Sequence, residues 1–218
     1  MIQRIALITG ASRGLGAALA EDLAIRGWHV VALARTVGGL EELDDRVKAL
    51  GLPGAGGLTL APMDVTDSDA MQHLCLSIHQ RWGGLQLWAH TAIHAAPLAP
   101  AGSIDAKDMA KSVATNLTAT AALVPMVEPL LRAGEGQALF FDDPRAGAKF
   151  FSSYGATKAA QIAIARSWAA ENAKIGPQVR ILTPDPMPTA TRARFFPGED
   201  RAPLHAPRDV ARRLLAGL

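Results

Sequence analysis

The chain of 218 residues has one cysteine, Cys75, and one tyrosine, Tyr154. A single cysteine closes no internal disulfide, which excludes the stapled framework of small secreted domains and any site built on several thiolates. Aromatic residues make up 5% of the chain and charged residues 19%, and the formal charge is only +2. No lysine or arginine run interleaves with aromatics, so the footprint of nucleic-acid binding is missing. Apolar runs are too short for a membrane span, and Arg4 interrupts the one nearest the N-terminus, so no signal-peptide core can be drawn there. These absences predict a cytoplasmic protein that has neither membrane nor nucleic acid as a partner.

Hydrophobic residues, at 49%, suffice over this length to bury a core without staples, and the length fits one domain spanning 1–218. Apolar stretches at 4–9, 29–34, 57–62, 85–90, 137–141 and 179–182 alternate with segments of helical period at 15–26, 40–50, 68–81, 105–132 and 152–174. That alternation is the pattern of βαβ units. The strands lack polar alternation, which predicts burial on both faces. An α/β fold with a doubly wound parallel sheet follows, with Pro125 and Pro129 expected to kink the fourth helix.

The first strand runs into Thr9-Gly-Ala-Ser-Arg-Gly-Leu-Gly16, which sets Gly10, Gly14 and Gly16, with Ser12, Arg13 and Leu15 between them, at a strand-to-helix junction. A helix N-terminus offers unpaired N–H groups and the positive end of its dipole, and glycine lets a pyrophosphate approach the backbone. The second strand ends in Ala34-Arg35-Thr36, where a doubly wound fold holds the adenosine ribose. An acid there would accept from a 2′-hydroxyl. Arg35 together with Arg13 instead suits a 2′-phosphate, which predicts NADP(H) as cofactor. Further along, Tyr154 and Lys158 stand four apart on the fifth helix and share a face. A phenol with an ordinary pKa of about 10 needs a neighbouring cation to act near neutrality, and Lys158 is the candidate.

With these motifs in place, the chain resembles the short-chain dehydrogenase/reductase family from about residue 4 to 191. The glycine turn and Tyr154-Gly-Ala-Thr-Lys158 carry the resemblance, joined by Asp64-Val65 after the third strand, Asn116 on the fourth helix and Thr191 after Pro186. The resemblance implies Tyr154 as general acid/base of hydride transfer on a small carbonyl or alcohol substrate. It also implies that Lys158 holds the nicotinamide ribose and lowers the Tyr154 pKa. Asn116 would anchor a relay water, Asp64 and Val65 would meet the adenine, and Thr91, Ala92, Pro186 and Thr191 would line the nicotinamide end. Six strands in the order 3-2-1-4-5-6 are implied, a Rossmann fold without the usual last strand.

Four departures surround the expected substrate side. His90-Thr-Ala-Ile93 stands where the family has Asn-Asn-Ala-Gly, Met187 follows Pro186 in place of glycine, and a short helix at 207–216 replaces the final strand. The position expected for the catalytic serine holds Asp143. An ionised Asp143 only accepts hydrogen bonds, so it would raise the Tyr154 pKa and repel an oxyanion unless protonated or turned away. Ser152 and Ser153 are alternative donors, and Asp142 and Asp143 read equally as an exposed turn before Pro144. His90 and His94, four apart, straddle a strand end and a loop, which argues against a metal site. Alanines at 119, 121, 122, 156, 159, 160, 163 and 169 leave the fourth and fifth helices apolar on more than one face, which predicts a homodimer through them. Against the oxidoreductase reading stand two others: a weakened NADP(H)-binding sensor or interaction module, and an acid/base role for Asp142 or Asp143 in dehydration or epimerisation.

Overall fold

The computed structural model describes residues 3–52 and 54–218. Six strands, β1 (Ile5–Thr9), β2 (His29–Ala34), β3 (Leu58–Pro62), β4 (Leu87–His90), β5 (Gln137–Phe141) and β6 (Gln178–Leu182), form one parallel sheet. Their order is β3-β2-β1-β4-β5-β6. Among the described residues the α-helices are α1 (Gly14–Ile25), α2 (Val37–Ala49), α3 (Ser68–Trp82), α4 (Ala106–Ser112), α5 (Ala119–Ala133), α6 (Ser152–Glu171), α7 (Ala190–Phe195) and α8 (Pro207–Leu214).

Alternate residues of β1 feed two cores. Ala6 and Ile8 pack with α1, α2 and α8, while Ile5 and Leu7 pack with α3, α5 and α6. A β-strand sends successive side chains to opposite faces, so a strand covered by helices on both sides is apolar at every position. The inner strands obey this. Edge strands β3 and β6 keep most residues half-buried or exposed, because each has one strand neighbour.

Several element boundaries differ from the sequence expectation by one to three residues, among them α2, which starts at Val37, and α6, which ends at Glu171. β4 starts at Leu87, since the Leu85 N–H donates to the Leu130 carbonyl at the end of α5 rather than to a neighbouring strand. The segment expected as one helix over 105–132 is α4 and α5 joined by a π-turn, Val113–Thr118, in which the Ala119 N–H reaches the carbonyl of Ala114. Pro125 and Pro129 lie inside α5 without ending it.

Helix α8 lies against α1. Val210, Ala211 and Leu215 are buried, and burying a valine or leucine side chain contributes about 1.5–3 kcal/mol. Arg208 pairs with Glu21 of α1, and the Arg26 guanidinium donates to the Leu215 carbonyl at 2.8 Å. Among the described residues no helix is long and apolar enough to cross a membrane.

Candidate active site

A cavity of about 500 Å³ opens at the C-terminal ends of the strands, beside the junction of β1 and β4 where the strand order reverses. Crevices at such switch points are where doubly wound sheets bind ligands. Of the residues expected to hold a cofactor, Gly10, Ser12, Arg13, Gly14, Leu15, Gly16, Arg35, Thr36, Asp64, Val65, Thr91, Ala92, Tyr154, Lys158, Pro186 and Thr191 all line it. Asp143 lines it too, and Asn116 does not.

At one end the N-terminus of α1 faces the cavity. Arg13 is its N-cap, no side chain caps it, and its first turn holds no acid, so the positive end of the helix stays open to an anion. The three glycines divide by physical role. A Cβ on Gly10 would lie 2.7 Å from the Ala92 nitrogen, and one on Gly16 would lie 2.2 Å from the Gly10 carbonyl oxygen. Those two glycines let β1, α1 and the loop after β4 touch, rather than clearing room for a phosphate. Gly14 has φ +58 and nothing nearer than Thr189 Cγ2 at 3.4 Å, so it is the glycine that faces open space. Arg13 is exposed and has no ion pair among the described residues. Arg35 is more than half exposed and lies 3.6 Å from the Asp64 carboxylate, which also accepts from the Thr66 backbone N–H and hydroxyl.

At the other end stands Tyr154, on the first turn of α6 and 5% exposed. Its hydroxyl donates to Asp143 Oδ2 at 3.1 Å, and Arg145 Nε donates to the other oxygen of that carboxylate at 3.1 Å. Asp143 thus faces the phenol instead of forming a plain exposed turn. Burial, then the charge and hydrogen bond of Asp143, push the Tyr154 pKa far above its ordinary value. The Lys158 ammonium donates to Gln161 Oε1 at 2.7 Å. Phe195 of α7 closes over the tyrosine with ring centroids 4.7 Å apart, and Ile93 packs on the same apolar cluster with Phe151 and Phe196. Thr189 caps α7 by accepting the Arg192 N–H.

Lys158 is buried, and desolvation lowers its pKa to about 8 against the smaller raising effect of Asp142 and Asp143. It belongs to a buried network that sequence reasoning missed. Gln161 Nε2 donates to Thr120 Oγ1 at 3.0 Å, and the Thr120 hydroxyl donates to the Asn116 carbonyl at 3.0 Å. His90 Nε2 lies 3.0 Å from the same Thr120 oxygen, whose one proton is already committed, so His90 is the donor there. Its Nδ1 accepts from the Thr9 hydroxyl at 2.8 Å. Desolvation, then the nearby Lys158 charge, lower the His90 pKa to about 3, so the ring is neutral.

The Asn116 side chain, expected beside a relay water, is engaged within the protein. Its amide donates to the His94 carbonyl at 2.9 Å and to Thr157 Oγ1 at 3.0 Å, and its oxygen accepts the His94 N–H at 2.7 Å. Both amide protons are spent, and the side chain clamps the loop after β4 onto α6. Ser152 and Ser153 do not line the cavity. Cys75 is buried, and desolvation raises its thiol pKa to about 11.

The fold and its switch-point crevice define a Rossmann-like α/β protein. The chain belongs to the short-chain dehydrogenase family of oxidoreductases, whose family model, "short chain dehydrogenase", matches residues 4–200. It is 38% identical over 96 residues to human dehydrogenase/reductase SDR family member 11, covering 43% of this chain and 35% of that protein. To a tropinone reductase homolog from Arabidopsis thaliana it is 30% identical over 174 residues, 77% of this chain and 63% of the relative. The matched region therefore spans less than two thirds of either relative's length. A short chain dehydrogenase structure from Shigella flexneri, complexed with NADP, superposes with a TM-score of 0.86 at 26% identity, covering 94% of this chain and 87% of that one.

Proposed function

We propose that the protein is an NADP(H)-dependent oxidoreductase acting on a small carbonyl or alcohol substrate. The observation that carries this reading is that one cavity joins an uncapped helix N-terminus and two arginines at one end to Tyr154 and Lys158 at the other. The residues fit the cofactor: the first-turn N–H groups of α1 suit a diphosphate, and Arg13 and Arg35 suit a 2′-phosphate. Lys158 and Thr191 would hold the nicotinamide half. Bound there, the cofactor supplies or accepts the hydride. The Shigella neighbour in complex with NADP supports the choice.

The remaining chemistry belongs to side chains. With its pKa raised, the Tyr154 phenol keeps its proton through the physiological range, which suits a general acid that protonates the substrate oxygen during reduction. Lys158 is charged at neutral pH and loses its proton from about pH 8 upward. The departures at Asp143, Ile93 and Met187 make this an atypical family member. The reading expects NADPH to bind more tightly than NADH and expects NADPH oxidation, with some member of a panel of aldehydes, ketones and quinones, that vanishes in Tyr154→Phe. Tighter binding of NADH would refute the roles given to Arg13 and Arg35.

A second reading draws on the contacts of the phenol. Its hydroxyl is held by Asp143 and its ring is covered by Phe195, which is the geometry expected of a cofactor-binding sensor with weakened turnover. NADPH binding without oxidation of NADPH by any panel member would favour it. For either reading we place the protein in the cytoplasm as one domain. We also propose a homodimer, for which the exposed Ala121, Ala156, Ala159 and Ala163 of α5 and α6 offer a small-residue face. A monomeric mass by light scattering would refute the dimer.

A further inference from the structure

A carbonyl oxygen that takes a proton from Tyr154 needs a second donor as charge develops on it. The site expected to supply a serine hydroxyl holds Asp143, which accepts. Neither Ser152 nor Ser153 lines the cavity, and the Thr157 hydroxyl is spent on the Ser153 carbonyl at 2.7 Å. Arg145 does line it, two residues beyond Asp143. Its Nε holds one oxygen of the carboxylate whose other oxygen accepts from Tyr154. Its guanidinium stacks on Phe151 at 5.5 Å and on Phe196 at 5.4 Å, contacts that orient its plane. Among the described residues, only Nε of this guanidinium is engaged in a hydrogen bond, so both Nη groups are available.

We propose that Arg145 is a catalytic residue: an Nη–H of its guanidinium donates to the substrate oxygen that Tyr154 protonates, in place of a serine hydroxyl. The proposal rests on the reductase reading. On substrate binding the Tyr154 hydroxyl turns from Asp143 to the substrate oxygen, while Asp143 keeps Arg145 Nε. The O–H bond of Tyr154 breaks and an O–H bond forms on the substrate. The reducing equivalents come from the reduced nicotinamide cofactor, and Arg145 exchanges no atom. Its charge faces first the developing oxyanion and then the tyrosinate, and the Arg145 charge already opposes the rise in the Tyr154 pKa. Asp143 then has a use: it holds the cation in place and makes the resting pair neutral.

The test uses the full chain with NADPH and a series of para-substituted benzaldehydes, from p-nitro to p-methoxy. Arg145→Met should lower kcat about 100-fold, the effect of removing one oxyanion donor. NADPH affinity, read by fluorescence enhancement, should stay within about 3-fold, well inside the effect of one lost charge-assisted hydrogen bond. The dependence of rate on the ring substituent should steepen, because a poorly polarised carbonyl leans more on its own substituent. Guanidinium ion at millimolar concentration should restore part of the Arg145→Ala rate and none of the Tyr154→Phe rate. If the wild type is active and Tyr154→Phe is not, an Arg145→Met rate near wild type, or an unchanged substituent dependence, overturns the assignment to Arg145 alone. If the wild type binds NADPH and reduces no aldehyde in the series, the reductase reading falls for these substrates and the Arg145 assignment falls with it.

Discussion

Replacing Lys158 by methionine isolates the effect of a buried charge. The ammonium ion is desolvated, and its pKa drops from 10.5 to about 8. The sign follows from proton counting. Between these two values the unfolded chain holds a proton on Lys158 that the folded chain has released, so wild-type stability rises with pH across that window. Below about pH 8 both states are charged, and the folded state carries the full desolvation cost of about 3 kcal/mol. Above about pH 10.5 both are neutral and the cost is gone. Methionine has no such term. It leaves Gln161 Oε1 without its donor, which costs about 1–3 kcal/mol at every pH. Urea unfolding of both proteins at about pH 7 and about pH 9.5 should therefore show the stability difference, wild type minus Lys158→Met, growing by about 2 kcal/mol with pH. The constant Gln161 penalty cancels from that change. A difference that stays flat to within about 0.5 kcal/mol, the usual error of such comparisons, would refute the buried-charge reasoning.

Other substitutions probe separate parts of the site. Asn116→Ala removes the two hydrogen bonds to His94 and the one to Thr157 that tie the His94 loop to α6 and should destabilise by about 2–4 kcal/mol in urea; a loss under about 1 kcal/mol would refute the clamp. Asp143→Asn removes a charge that raises the Tyr154 pKa, so the phenolate absorbance of the lone tyrosine should emerge at lower pH than in the wild type, still above an ordinary phenol because burial remains. Equal midpoints would refute the role given to Asp143. Gly10→Ala drives a methyl into the backbone of Ala92 and should destabilise the protein by more than about 2 kcal/mol without any ligand present. Gly14→Ala meets only Thr189 Cγ2 and a positive φ. Its stability loss should stay near about 1–2 kcal/mol, with a larger effect on NADPH affinity.

Local signals carried most of the fold into the sequence reading. The glycine turn and the Tyr154–Lys158 spacing are written within eight and five consecutive residues, so both were legible, and all but one of the expected site residues line the cavity. Contacts between distant segments were not. Gln161 looks like any polar residue on a helix until Thr120, 41 positions away, is seen beside it. Phe195 covering Tyr154 required the placement of α7. The role of the three glycines was half legible: the turn was plain, yet which of them clears room for a ligand depends on the loop after β4, whose Ala92 nitrogen would lie 2.7 Å from a Cβ on Gly10. The helix interruption at 113–118 has no proline or glycine to announce it. Asn116 could be recognised by motif, but its orientation follows from the widened turn that carries it.

That widened turn also bears on how the chain tolerates changes of length. A π-turn holds one residue more than the α-helical turn it replaces while leaving the flanking helices in step. Residues 113–118 are therefore where helix length and sheet packing come apart. Removing one residue there should let α4 and α5 close into an uninterrupted α-helix, with Leu123, Val127 and Leu130 still against the sheet. The same deletion two turns later would rotate that apolar stripe by about a quarter turn. The protein would keep its core and lose the reach of Asn116 to the His94 loop. The extra residue is thus a spacer that sets Asn116 against the His94 loop.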